Sequence, residues 1–371
     1  MKTIAVFYGG KSVEHDISVI TALQTMKNIK GYDFVPFYIK SDGSMVTADN
    51  LKDEKIYLNY NKLVKNERKV FFSLSTGEIY VCKNNKIKSL VKPYSAVLCG
   101  HGNGLEDGCL QGLLELCNIP YSSSSVLSSA LTMDKHFTKI VLNENHILSP
   151  AYVHFHKCEY DKNKQEILDE IKKKLSFPCI IKPANGGSSV GINVCENEDM
   201  LISLIDDAFE FDDKIIVEKF VENAREFSCA VLKSGDKLFA SNIWQVKKGK
   251  YFSFDEKYLK NNSEENQMEQ VKLEKKIKEL SKKCYECLEC SGVVRVDFLF
   301  DEAANKLYVG EVNSVPGSLA FNLFPYPFSD IISLLATEGR LKFDRKKDIK
   351  YVFSSSALKN YLSLKPKACK K

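Results

Sequence analysis

No stretch of the sequence approaches the run of about 20 apolar residues that a membrane-spanning helix needs, so no membrane partner is expected. The opening residues MKTIAVFYGG pass straight into a strand-like pattern, without the charged and then apolar order of an export signal. Twelve cysteines are scattered through the chain instead of crowding a short segment. They are expected to be reduced thiols of a cytoplasmic protein. Cys284, Cys287 and Cys290 recur every third residue with no fourth Cys or His nearby, which fits small apolar residues on a buried helix face better than a metal site. No sign of charge dominates: 53 Lys and Arg against 48 Asp and Glu leave a net charge of +5. The lysine cluster at Lys172 to Lys174 and the basic tail lack interleaved aromatics, so no nucleic-acid partner is expected. Two glycine signatures are also missing. The turn after the first strand reads GGKSVEHD, not G-x-G-x-x-G, which argues against a nicotinamide dinucleotide. The later loop KPANGGSSVGI lacks the G-K-[ST] order of a Walker A loop.

What is present is most informative between Gly292 and Asn322, GVVRVDFLFDEAANKLYVGEVNSVPGSLAFN. Val294 to Phe300 and Leu307 to Val312 are rich in β-branched and aromatic residues around a polar turn, the pattern of an antiparallel hairpin. Alternation along each strand puts Arg295, Asp297 and Leu299 on one face and Val309, Glu311 and Asn313 on another. If those faces align, Asp297, Glu311 and Asn313 form an oxygen-rich cluster suited to Mg²⁺, with Arg295 beside it. A half-solvated hairpin with ordinary surface charges has the same pattern.

At 371 residues with 44% hydrophobic and 27% charged residues, the chain has room for two or three globular cores. Thr3 to Tyr8 reads as a buried strand, followed by a helix through Met26 with Glu14 and His15 at its start. A carboxylate there is favoured by the helix dipole and could accept a substrate ammonium, or could be a helix-start acid with no ligand. Residues 40–92 alternate polar loops with short strands. Ala96 to Cys99 is a second buried strand, running into HGNGLEDGCLQGLLE, where glycines permit close backbone approach and His101 is a candidate substrate donor. Past the Ser-rich stretch Tyr121 to Ser129, composition turns helical in SALTMDKHFTKIVLNENH. Phe177 to Ile181 is a strand leading to Lys182 and the Gly186-Gly187-Ser188-Ser189 loop, whose amides and hydroxyls could fold over phosphates. Lys214 to Lys219 is a strand followed by Phe220-Val221, a junction able to meet an adenine edge and face. The long polar loop YFSFDEKYLKNNSEENQ offers Lys257 and Tyr258. A helix is expected from Glu269 to Cys290 and another from Asp330 to Glu338, with an unpatterned basic tail beyond.

Together these stretches closely resemble the ATP-grasp superfamily, and within it the D-alanine–D-alanine ligases, from Ile4 to about Phe328. The resemblance is carried by GGKSVEHDIS, HGNGLEDGCLQGLLE, MDKHFTK, IIKPANGGSSVG, VEKFVENAREF, the DEKY loop, RVDF and EVNSVPG. It implies an α/β, three-domain ATP-grasp fold with an N-terminal Rossmann-like domain over residues 1–128, a central subdomain over 129–218 and a C-terminal subdomain over 219–371. It also implies ATP-dependent activation of a first amino acid as an acyl phosphate and attack by a second, for peptidoglycan precursor synthesis. By the same resemblance Asp297, Glu311 and Asn313 would hold two Mg²⁺ ions, with Mn²⁺ as a substitute, and Lys135 and Lys182 would contact phosphates. Glu218, Lys219, Phe220 and Val221 would form the adenine hinge, Glu226 would meet the ribose, and Lys257 would reach the nucleotide. Glu14 would bind the first ammonium with His101 near its carboxylate, and Ser188 and Tyr258 would join Glu14 in coupling closure to binding. Arg295 and the Gly317 amide would stabilise the oxyanion. A homodimer through the N-terminal domain is implied as well.

One departure bears on specificity. After EVNSVPG the run is SLAFNLF, with Leu319 and Asn322 where the resembled family usually has hydroxyl residues. An amide can still donate to a carboxylate, so Asn322 remains the expected contact for the second substrate. A relative that uses D-serine, D-lactate or another acceptor is therefore an alternative. A catalytically weak nucleotide-binding relative is a third reading, against which the intact Lys182, Arg295, Asp297, Glu311 and Asn313 argue.

Overall fold

A computed structural model describes residues 1–83, 86–246, 267–350 and 355–363. Strand β1 (Thr3–Gly9) is buried on both faces, as the central strand of a parallel arrangement should be. Ile4, Val6 and Tyr8 enter one core, whereas Ala5 and Phe7 enter another. After α1 (His15–Asn28), β2 (Asp33–Ile39) pairs parallel to β1. The stretch read as loops and short strands contains β3 (Met45–Thr47), α2 (Tyr60–Leu63), β4 (Arg68–Phe72), β5 (Ile79–Lys83) and β6 (Lys86–Val91). These strands extend the sheet by antiparallel pairing, and β7 (Ser95–Leu98) closes the other side of β1, giving the order β6-β5-β4-β3-β2-β1-β7. Helices α3 (Cys109–Leu116) and α4 (Val126–Met133) follow.

The helical stretch around MDKHFTK is two helices, because Asp134 adopts an extended conformation between α4 and α5 (Lys135–Glu144). Its carboxylate accepts the N–H groups of His136 and Phe137, capping α5. Lys214 holds the same carboxylate at 2.8 Å.

The second sheet comprises β8 (Tyr152–His156), β9 (Cys179–Pro183), β10 (Asn193–Cys195) and β11 (Lys214–Lys219), with α6 (Lys157–Leu175) and α7 (Glu198–Ala208) between them. Its order is β10-β9-β11-β8, all antiparallel. Val153, Phe155, Cys179, Ile181, Ile215 and Val217 share a core with residues of α6 and α7. The alternate residues, among them Lys182, Lys214 and Glu218, lie on the opposite face. The third sheet, β13-β12-β14-β15, joins β12 (Arg225–Ser234), β13 (Lys237–Val246), β14 (Val293–Asp301) and β15 (Lys306–Asn313). It packs on α8 (Gln267–Cys287), where Cys284 is buried as its helical spacing suggests.

Helix α9 (Phe328–Arg345) then returns to the first sheet, placing Phe328, Ile331, Ile332, Leu335 and Ala336 in one core with Ile4 and Val97. It is longer than expected, because a polar last turn is held by the Arg340–Asp344 pair at 2.9 Å. The tail, expected to be unpatterned, contains α10 (Ala357–Ser363), whose first N–H bonds the Ser355 hydroxyl. Among the described residues no helix is long and apolar enough to cross a membrane.

The return of α9 depends on a close approach at Gly339. A Cβ there would sit 2.6 Å from the carbonyl carbon and oxygen of Tyr121 and 2.8 Å from Ser95 Oγ. Alanine would gain about 1 kcal/mol of helix propensity. Overpacking against backbone costs about 1–3 kcal/mol or more. Gly339→Ala should therefore lower stability in urea unfolding, and an unchanged or higher midpoint would show that the helix sits farther from Tyr121.

Candidate active site

The β14–β15 register places Asp297 opposite Glu311 and Arg295 opposite Asn313, followed by a bulge that re-pairs Phe298 with Val309. Asp297 gathers most of the donors on this face. Its carboxylate accepts from Arg295 Nε at 2.9 Å and Nη2 at 2.8 Å, from Ser228 Oγ at 2.6 Å and from Asn313 Nδ2 at 3.0 Å. Glu311 is half-buried, and its Oε1 lies 3.5 Å from Lys135 Nζ. Two carboxylates and an amide, all on one face, are a donor set suited to a hard cation. Among the described residues no group of three or more His, Cys, Asp or Glu side chains is placed to hold a metal, so a cation bound here would need an oxygen from another residue type, such as Asn313.

A wall of lysines stands on α5 and the second sheet. Lys135 is buried and donates to the carbonyl of Gly186 at 2.5 Å, tying α5 to the glycine–serine loop. Lys182 meets Glu218 Oε2 at 2.9 Å, and Lys139 approaches Glu218 Oε1 at 3.2 Å. Burial alone would raise the Glu218 carboxyl, but the ammonium groups of Lys139 and Lys182 outweigh it and hold it at about 2. Glu218 is thus an ionised, acceptor-only group at any working pH.

The first sheet supplies the acids. Glu14 precedes α1 and accepts a 2.6 Å hydrogen bond from Ser188 Oγ in the glycine–serine loop. A Cβ at Gly187 would lie 2.6 Å from both Glu14 oxygens, so only glycine lets this loop come so close. Ser188 and Ser189 both take positive φ, 52° and 59°, in the same turn. Burial raises the Glu14 carboxyl, the Ser188 hydrogen bond opposes this, and the Glu311 charge raises it further. Its Oε2 has no hydrogen-bond partner among the described residues. Glu106 accepts from the Gly102 N–H at 2.7 Å and is pushed up to about 8, first by burial and then by the Glu14 charge.

His101 is buried, with burial pushing its imidazole down to about 4. Its Nε2 lies 2.9 Å from Thr21 Oγ1, and a hydrogen bond with the Val315 backbone opposes the effect of burial. Thr21 Oγ1 also accepts the Ser318 N–H at 3.0 Å, so His101 and Thr21 brace the turn Gly317–Leu323. Ser318, Leu319 and Ala320 there take φ of 53°, 50° and 49°, a left-handed run that costs about 1–2 kcal/mol per residue and needs such bracing. Gly317 opens the turn, Leu319 is buried beneath it and Asn322 is exposed.

Lys219 is exposed, and its N–H bonds Ala151 O at 2.8 Å; Phe220 and Val221 are half-buried beyond it. Glu226 lies on β12 opposite Leu299. Lys257 and Tyr258 fall outside the described residues. Sequence reasoning did not single out Glu106, Lys139, Thr21 or Ser228. A signal existed for Lys139, four residues beyond Lys135 and hence on the same helix face. Glu106 lies inside the glycine-rich stretch already marked by His101.

Lysines on one four-stranded sheet and carboxylates on another, bridged by a helix that touches both, define the ATP-grasp class. The family model described as D-ala D-ala ligase N-terminus matches residues 3–124, and that described as D-ala D-ala ligase C-terminus matches residues 141–331. The D-alanine–D-alanine ligase of Thermosipho melanesiensis is 36% identical over 364 residues, covering 94% of this chain and 96% of that protein. The ligase of the same name from Caldicellulosiruptor bescii is 34% identical, covering 94% and 98%. Among solved structures, the VanG D-Ala:D-Ser ligase of Enterococcus faecalis superimposes with a TM-score of 0.78 at 29% identity, covering 91% of this chain and 99% of that one. The D-alanine–D-alanine ligase of Helicobacter pylori does so with a TM-score of 0.74 at 27% identity, covering 91% and 98%. The chain belongs to the D-alanine–D-alanine ligase family.

The acid pair has a pH signature. A carboxyl raised by folding contributes stability that is complete below the unfolded value of about 4.5 and is lost as pH rises through the folded value. For Glu106 that loss begins above about pH 4.5 and is complete a little above pH 8. Glu106→Gln should therefore lose less stability than the parent chain between pH 6 and pH 9 in chemical unfolding. Parallel losses in the two proteins would show that Glu106 does not hold its proton.

Proposed function

We propose that this protein joins two D-alanine molecules, using ATP, to give D-alanyl-D-alanine, ADP and phosphate for peptidoglycan precursors. The observation that carries this reading is Glu14. One of its buried oxygens is latched to the glycine–serine loop, and the other has no partner among the described residues, within the field of Lys135, Arg295 and Glu311. The ammonium of a first amino acid would satisfy that oxygen. Its carboxylate would then lie toward the lysine wall, where a transferring phosphoryl group needs positive charge.

In this reading Lys135 and Lys182 hold phosphate oxygens, and Glu218 to Val221 meet the adenine, with Glu218 as acceptor for its amino group. Glu226 takes the ribose, Lys257 would reach the nucleotide, and Tyr258 would join Ser188 in hydrogen-bonding with Glu14. Two Mg²⁺ ions, or Mn²⁺, would be held by Asp297, Glu311 and Asn313 and would neutralise the β- and γ-phosphates. Arg295 and the Gly317 amide stabilise the tetrahedral oxyanion, the group of donors that usually matters most in acyl transfer. His101 lies near the carboxylate of the first amino acid and also braces the 317–323 turn, and Asn322 meets the second carboxylate. Division at residues 128 and 218, a homodimer through the N-terminal domain and a cytoplasmic location complete the proposal. A D-serine acceptor is not favoured, since the curated relatives cited above carry the D-alanine name.

Phosphate release with ATP and Mg²⁺ should require D-alanine and yield the dipeptide. Turnover only with D-serine or D-lactate as acceptor would overturn the acceptor assignment, and no turnover with any pair would overturn the ligase reading. Glu311→Gln should lower kcat by on the order of a hundredfold or more. A parent-like rate would remove Glu311 from the metal site. Asn322→Ser should shift KM for the second D-alanine more than KM for ATP, and equal shifts would displace Asn322 from the acceptor pocket.

A further inference from the structure

The lysine wall contains one more cation than the proposed chemistry uses. Lys135 and Lys139 are one turn apart on α5, so both face the cleft side of the second sheet. Lys139 is 2% exposed and its Nζ is 3.2 Å from Glu218 Oε1, while Glu218 is 1% exposed. Lys182 reaches Oε2 of the same carboxylate at 2.9 Å. Neither Lys139 Nζ nor Glu218 Oε1 has a hydrogen-bond partner among the described residues. Burying an ammonium with so little company is expensive, and a second cation on a carboxylate that already has one is not needed for neutrality.

Resting on the nucleotide reading above, we propose that Lys139 is a positioning residue, the standing counter-ion of Glu218 that frees Lys182 to meet a nucleotide phosphate. A phosphate that draws on the Lys182 ammonium weakens or breaks its 2.9 Å contact with Glu218, since the same charge is then shared between two anions. Were it the carboxylate's only partner, its departure would strand a buried negative charge. With Lys139 in place, the cluster passes from two cations on one carboxylate to one on one. The two lysines also repel each other: burial lowers Lys139 most, Glu218 raises it, and Lys182 lowers it again. The departure of Lys182 toward an anion relieves that repulsion.

The other titratable groups on this face, among the described residues, include Lys135 and His136 on α5, Lys214 on β11, and Tyr152, His154 and His156 on β8, with the His136 and His154 ring centroids 3.4 Å apart. Lys214 is committed to Asp134. Tyr152, whose ring centroid is 5.6 Å from Lys139 Nζ, carries no opposing charge near neutral pH, because burial raises its hydroxyl. Among the described residues, Lys139 and Lys182 are the cations in salt-bridge contact with Glu218.

The test is calorimetric titration of the full chain with ADP and Mg²⁺ in buffers of differing ionisation enthalpy. The parent should bind ADP with no proton uptake traceable to Glu218. K139M should bind at least about tenfold more weakly near neutral pH. It should also take up a proton on binding, because Glu218 protonates as Lys182 leaves, so its affinity should rise as pH falls. K139R, which keeps the cation, should behave as the parent, and K139M/E218Q should show no uptake. K139M binding like the parent without uptake, or K139R as impaired as K139M, would overturn the assignment. If K139M fails to fold, K139M/E218Q decides on stability alone: restored folding supports the counter-ion role, and a failure to fold refutes it. A parent chain that binds no ADP would instead refute the nucleotide reading and this inference with it, whereas parent-like K139M refutes this inference alone.

Discussion

The hydrogen bond from Ser188 to Glu14, between residues 174 apart in sequence, is the contact on which the geometry of the cleft depends. It joins the glycine–serine loop of the second sheet to the helix start of the first. Gly187 makes the approach possible, and two serines at positive φ shape the turn that delivers the hydroxyl. The same loop is fastened from behind by Lys135, whose ammonium also lies near Glu311. Through these few polar contacts, groups from three sheets act as one electrostatic unit. Glu14 feels Glu311, Lys135 and Arg295, and Glu106 feels Glu14 in turn.

The chain builds that unit on rigid supports. Asp297, Glu311, Arg295 and Asn313 sit on paired strands, where register fixes their relative positions. Lys182 and Glu218 sit on paired strands, and Lys135 and Lys139 sit on a capped helix. The less regular elements, the 186–189 and 317–323 turns, carry backbone strain and are braced by Glu14 and by the Thr21–His101 pair. Strain held by hydrogen bonds in this way is common where backbone amides must be aimed at a reacting group.

Much of this was legible in the sequence. The hairpin read from alternation at Val294 to Phe300 and Leu307 to Val312 is present with the aligned faces that reading required. Strands Thr3 to Tyr8 and Lys214 to Lys219 were legible because their apolar runs are bounded by glycine or charge. Helix α6 was not, since in KCEYDKNKQEILDEIKKKL only Tyr160, Leu168, Ile171 and Leu175 are buried and the periodic signal drowns in charge. Strands β8 and β10, of 5 and 3 residues, are too short to show a period. The break at Asp134 lies inside a continuous helical pattern, and one of the contacts that hold its carboxylate, from Lys214, joins residues 80 apart. Glu106 and Lys139 were missed for a related reason, because their character comes from burial beside other charges.

Helix α9 also has a bearing on how such a chain is made. Its apolar face covers the same core as β1 and β7, although more than 200 residues of chain separate β7 from it. During synthesis the first sheet emerges with that face covered only in part, by α1, and the rest stays open until every strand of the second and third sheets has been translated. The earliest strands to be made are thus among the last to be fully covered. Handling by chaperones, more than final stability, should set how much of the protein reaches its folded state in a crowded cell.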